Sequence, residues 1–215
     1  TTRRAGRLFP GPNLPGLPGV GQCAKIRPMA PLTSLYLASL DPYTAPELDC
    51  ISGVLRRLEI IGTPIGDGRF AAGPGFDRHV VFAGCSPHLV LQPPADGSQQ
   101  FCHVALHGPF DTPRLIGGPN TTRPRCPVCR ARYTDWQDRL ADGQCGRTGA
   151  HCALCGHRVS PHRLDWRGQA ISGRLLIELR NVFPGEASPS DRLLAELRNA
   201  SCEDWRYAWA AYLDS

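Results

Sequence analysis

The chain has 215 residues, of which 41% are hydrophobic and 20% charged, so it carries more apolar side chain than a disordered segment would. Its 23 Gly and 21 Pro interrupt helix interiors, which argues against a helical bundle and favours a loop-rich α+β chain. No stretch approaches the roughly 20 consecutive apolar residues of a membrane span, and no short apolar signal core stands near the start, so the expected setting is cytoplasmic.

Residues 1–28 are rich in Pro, Gly and Arg and lack hydrophobic periodicity. They are expected to form a disordered leader, with Met29, the only methionine, as the biological start. Residues 29–122 form an N-terminal α+β half. The run Leu32–Leu40 is apolar enough for a buried strand that Pro42 closes. Thr44 and Glu47 then form a capping box with Pro46 in the first turn. Leu48, Ile51, Leu55 and Leu58 give the helix one apolar stripe, and Gly62 stops it. Three strands are expected next, at Arg78–Gly84, His88–Gln92 and Phe101–Gly108. Beyond a cysteine-bearing segment at 123–167, a C-terminal half at 168–215 repeats the pattern. Arg174–Val182 reads as a strand, and Ser188 and Pro189 open a helix carrying Leu193, Leu194 and Leu197. Asp204–Leu213 closes as a strand. The expected fold is therefore α+β, two strand-helix-strand halves in a ferredoxin-like arrangement sharing one sheet, with the cysteine segment inserted between them.

The formal net charge of +5 is unevenly placed. Residues 123–167 hold nine Arg against four Asp, whereas the two halves are slightly acidic. Arg123, Arg125, Arg130, Arg132, Arg139, Arg147, Arg158 and Arg163, interleaved with Tyr133 and Trp136, are candidates for contacting nucleic acid or an acidic protein surface. Guanidinium groups bind phosphates and carboxylates through a bidentate fork, and aromatic faces stack on unpaired bases. The competing expectation is that the aromatics pack the cysteine segment onto the α+β body.

Four of the ten cysteines form two C-x-x-C pairs, Cys126-Pro-Val-Cys129 and Cys152-Ala-Leu-Cys155, with 22 residues between them. Each pair places two thiolates on one tight turn, and two facing turns supply four sulfurs to a tetrahedral ion. The pattern resembles a zinc ribbon over residues 124–160. Pro127 and Gly156 stand where ribbon knuckles usually carry such residues, while Arg130 stands where glycine is common. The resemblance implies Zn²⁺ held by Cys126, Cys129, Cys152 and Cys155 in a closed, structural site; iron also suits four thiolates. Cys145, His151 and His157 are the nearest competitors for a ligand position, and Cys145, which breaks the paired spacing, is read as a bystander.

A second candidate site comprises Cys85, His88 and His103 near the strand Phe101–Gly108. Alternation places Cys102, Val104 and Leu106 on one face and His103, Ala105 and His107 on the other, an ordinary sheet with a buried cysteine and a surface histidine row. His103 and His107 are about 13 Å apart along the strand, too far to share an ion. Nucleotide-binding and hydrolase motifs are absent, and the single lysine, Lys25, lies in the leader. The sequence thus points to a binding module with an Arg-rich ribbon. The alternatives are a metalloenzyme using Cys85, His88 and His103, and a structural adapter that dimerises through the ribbon.

Overall fold

The computed structural model describes residues 33–83, 89–95, 97–98, 100–117, 121–134, 136, 149–182 and 185–211, all within the unit formed by residues 31–215. The expected leader lies outside the described residues.

A six-stranded sheet organises the chain. Its members are β1 (Thr33–Ser39), β2 (Ile61–Gly66), β3 (Arg69–Ala72), β5 (His103–His107), β10 (Leu176–Arg180) and β12 (Trp205–Ala211), in the order β12-β1-β10-β5-β3-β2. Every neighbouring pair is antiparallel. The helix α1 (Leu48–Arg57) connects β1 to β2, and α3 (Asp191–Ser201) connects β10 to β12. The strands of the two strand-helix-strand units therefore interleave in one sheet, an order the apolar patterns do not specify.

Both faces of the sheet are covered, which is why β1 and β10 read as nearly unbroken apolar runs rather than as alternating ones. Leu35 and Leu37 of β1 and Ile177 and Leu179 of β10 meet Ile51, Val54 and Leu55 of α1 and Leu193 and Leu197 of α3. Arg57 on α1 bonds Glu196 on α3 across the helix pair at 2.8 Å. On the opposite face, β6 (Arg114–Gly117) pairs with β9 (Ala170–Gly173). Ile116 and Ile171 from that pair cover Tyr36, Ala38, Leu176, Ala208 and Ala210. Each fully buried aliphatic side chain contributes about 1.5–3 kcal/mol relative to exposure, so the two layers together secure the sheet. The β6–β9 pairing also joins the two ends of the cysteine segment.

Helix boundaries depart from the sequence expectation. The α1 N-cap is Glu47, without a side-chain cap bond, and Thr44 Oγ1 instead donates to Glu203 Oε1 at 3.4 Å. The helix closes at Leu58, with Glu59 in the left-handed region at φ 56°, and Gly62 lies within β2. At α3 the cap is Ser190, whose Oγ accepts from Leu193 N–H at 3.2 Å; Pro189 ends a short strand, β11 (Ala187–Pro189). Residues 76–82 fold as a helical turn, α2 (Phe76–His79), followed by β4 (Val80–Phe82). Because β4 pairs with β11 outside the main sheet, it is not a neighbour of β5. The described residues of the expected strand His88–Gln92 form no strand, their only ladder-like bond running from Cys102 N–H to Val90 O at 2.7 Å.

Candidate metal centre

Two turns of the same design face one another. In the first, Arg130 N–H donates to Cys126 O at 3.0 Å and Cys126 N–H to Ala131 O at 2.8 Å. In the second, Gly156 N–H donates to Cys152 O at 2.8 Å and Cys152 N–H to His157 O at 2.9 Å. The residue after each second cysteine is left-handed, at φ 65° for Arg130 and 69° for Gly156. Arg130 therefore adopts the conformation expected of the glycine it replaces, and its side chain bonds Asp165 at 2.7 Å. The first turn is tied to the chain through the bridge between Arg125 and Asp165. The second is flanked by the hairpin β7 (Ala150–His151) and β8 (Arg158–Val159).

This geometry brings all four predicted sulfurs together, every pair within 4.8 Å. Cys126 Sγ lies 3.8 Å from Cys155 Sγ, and Cys129 Sγ 3.4 Å from Cys152 Sγ. Tetrahedral Zn–S bonds of about 2.3 Å put sulfurs about 3.8 Å apart, so the observed spacings match a shared cation. A disulfide would need about 2.0 Å, and none of the four forms one. Backbone N–H groups already point at the sulfurs. Those of Cys155 and Leu154 pull Cys152 down to about 6, and those of Cys129 and Val128 lower Cys126. At Cys129 the Ala131 N–H also lowers the thiol, but burial and the three neighbouring sulfurs outweigh it and push the group up to about 12. A divalent cation held by the four sulfurs would offset that mutual repulsion with its own charge and so favour the thiolate form of each ligand.

Behind the cysteines lies a small core of Tyr133, Val159, Leu164, Trp166 and Ala170. Trp136 meets Trp166 edge to face at 5.2 Å, and Trp166 Nε1 donates to Pro161 O at 2.9 Å. Burial and then the cysteine charges raise Tyr133 to about 12. The aromatics interleaved with arginine are thus committed to packing. The arginines divide: Arg123, Arg130, Arg132, Arg158 and Arg163 are exposed and Arg125 is half-buried, while Arg139 and Arg147 lie outside the described residues. Arg163 bonds Asp41 at 2.9 Å and lies over the Tyr43 ring. His151 and His157 are exposed and do not join the cluster; Cys145 lies outside the described residues.

Of the second candidate site, Cys85 and His88 lie outside the described residues. His103 is buried at 1% exposure, with Nδ1–H donating to Phe101 O at 2.8 Å and Nε2 without a partner among the described residues. Burial lowers its pKa. The expected surface histidine row is thus corrected: alternation along β5 holds, but its second face turns into a covered layer. There His107 Nε2–H donates to Glu178 Oε2 at 2.6 Å, Tyr36 O–H donates to Oε1 at 2.8 Å, and Arg180 Nε lies 3.0 Å from Oε2. Glu178, fully buried, is the residue that sequence reasoning missed. A single acid inside the apolar run Leu175–Leu179 was its signal, since buried carboxylates persist only with partners.

Compared with known proteins, the chain matches no family model, no curated protein and no solved structure.

Proposed function

We propose that the chain is a non-enzymatic, cytoplasmic binding module in which a Cys₄ zinc ribbon is inserted into a ferredoxin-like α+β body, widened by β3 and β5, and presents arginines to an acidic protein surface. The convergence of four sulfurs at tetrahedral spacing carries the zinc reading. A four-thiolate site has no open position for water or substrate, which favours a structural ion over a catalytic one. The ribbon's aliphatic and aromatic core is small, so the metal supplies much of its order, on the order of 10 kcal/mol. Charge favours an anionic partner, and the burial of Tyr133 and Trp166 favours protein over single-stranded nucleic acid, because bases need exposed aromatic faces to stack on.

Elemental analysis of the purified chain tests the reading. One zinc per chain is expected, released by chelator together with protease sensitivity in residues 123–167; no metal, or thiols oxidised in pairs, refutes it. Titration with oligothymidylate at varied salt tests the choice of partner. No binding is expected, and a steep linear fall of log K with log salt would replace acidic protein by nucleic acid.

A further inference from the structure

Where the ribbon meets the end of the central sheet, a cleft of about 460 Å³ opens, a size ordinary for ligand sites. Pro127 and Val128 of the first knuckle line it on one side, Arg158 and Arg163 on another, and Leu40 and Arg206 at the sheet end. Its chemistry is divided. Val128 and Leu40 are 62% and 54% exposed, two aliphatic groups at a concave surface rather than in a core. Arg206, rising from β12, is fixed by Nη2–H bonds to Ser172 O at 3.1 Å and His162 O at 3.4 Å, while its Nε is buried without a partner among the described residues. Burial, then the charge of Arg163, lowers the Arg206 pKa, and Asp41, the one acid opposing that, is already engaged by Arg163. A preoriented, undercompensated cation thus stands beside exposed aliphatic surface.

We propose that this cleft takes an acidic peptide bearing an aliphatic side chain, with a carboxylate on Arg206 and the aliphatic group between Leu40 and Val128. The inference rests on the reading that the ribbon faces an acidic protein partner, and it names the place and the chemistry. Carboxylate and guanidinium match in charge, and with Nη2 committed to two backbone carbonyls it is the Nη1–H group that is left for a carboxylate. The lining apolar groups, Leu40, Pro127, Val128 and Val159, are aliphatic, and the one aromatic ring of the lining is His157, so the apolar part of the cleft suits an aliphatic side chain rather than a base.

The test uses the full zinc-loaded chain and fluorescence anisotropy with a labelled peptide alternating Asp and Leu. Binding is expected, weakened about tenfold by Val128→Asp, compared at full zinc content because Val128 lies within the first knuckle, and to a similar extent by Arg206→Gln. Arg123→Gln, remote from the cleft, should leave it unchanged. An oligoglutamate of equal length should bind more weakly. No peptide binding, equal affinity for oligoglutamate, or insensitivity to Val128→Asp overturns the inference, as does oligothymidylate competing for the cleft. Zinc content separates the failures: a chain without metal refutes the ribbon itself, whereas a zinc-loaded chain that ignores the peptide refutes only the cleft assignment.

Discussion

The equivalence of the two knuckles can be broken one turn at a time. Gly156 and Arg130 occupy the same left-handed backbone position, at φ 69° and 65°. A Cβ at Gly156 would meet nothing within 4 Å, so Gly156→Ala carries backbone strain and no clash. That strain is about 1–2 kcal/mol for an L-residue. Arg130 already bears it. Arg130→Gly relieves it, but it frees the unfolded chain by about 0.5–1 kcal/mol and loses the partly exposed Asp165 ion pair, worth about 0–1 kcal/mol. The expected outcome is asymmetric: Gly156→Ala weakens zinc affinity about 5- to 30-fold, because metal binding and ribbon folding share one free energy, while Arg130→Gly changes it little. Competition for zinc against a chromophoric chelator, in parallel with thermal unfolding, measures both. Equal effects at the two positions, or none at Gly156, would show that the knuckles do not share this turn.

Cys126→Ser and Cys152→Ser are each expected to abolish stoichiometric zinc and to open residues 123–167 to protease, read by metal analysis and limited proteolysis; full metal retention would remove that cysteine from the ligand set. Glu178→Gln should cost about 3–5 kcal/mol in urea denaturation, since it removes the fully buried carboxylate on which His107, Tyr36 and Arg180 converge. Burial pushes the Glu178 carboxyl up, but the His107 bond, the nearby Ser34 hydroxyl, Arg180 and the Tyr36 bond outweigh it and hold the group below its ordinary 4.5. The carboxylate's contribution is therefore complete above 4.5 and is lost as pH falls through the depressed folded value, so the gap between wild type and Glu178→Gln should close only in strong acid. Trp166→Ala, at 4% exposure and against Trp136, should destabilise the ribbon by about 3–5 kcal/mol in the same assay, and a loss of under 1 kcal/mol would mean the ring is not core.

What the sequence disclosed, and what it hid, follows from the range of each interaction. The cysteine pairs were legible because ligand spacing is local: two residues fix each turn, and Gly156 marks the left-handed position that Arg130 occupies without any signal in its residue type. The helices α1 and α3 were legible from apolar stripes, but their caps were misplaced, since Thr44 found a partner in Glu203, distant in sequence, and Ser190 outcompeted Ser188 two residues away. Alternation along β5 was read correctly as to sides and wrongly as to exposure. The second face is covered by groups from elsewhere in the chain, Glu178 against His107, and Arg69, Glu178 and Arg180 about His103, and nothing within Phe101–Gly108 records them. Glu178 acquires its partners from β1 and β5, so its role emerges only with the sheet order.

The β6–β9 pair links the cysteine cluster to the sheet. It holds the ends of the cysteine segment together over the face opposite the helices, and around it the ribbon is fastened to β12 and β1 at several points. Trp209 N–H donates to Gly168 O at 2.9 Å, Arg206 reaches Ser172 O, Tyr43 O–H bonds Ser160 Oγ at 2.8 Å, and Arg163 grips Asp41. Most of these bonds are polar and individually worth about 0.5–1.5 kcal/mol, so they orient the ribbon without being able to order it alone. On the proposed reading, an ion on the four sulfurs supplies the order and the sheet the orientation. The Arg206 cleft needs both, because one of its walls is a knuckle turn and another is the end of β12. Chelation should therefore abolish peptide binding while leaving the unfolding of the Leu35–Ile177 core, followed by denaturant titration, close to that of the zinc-loaded chain.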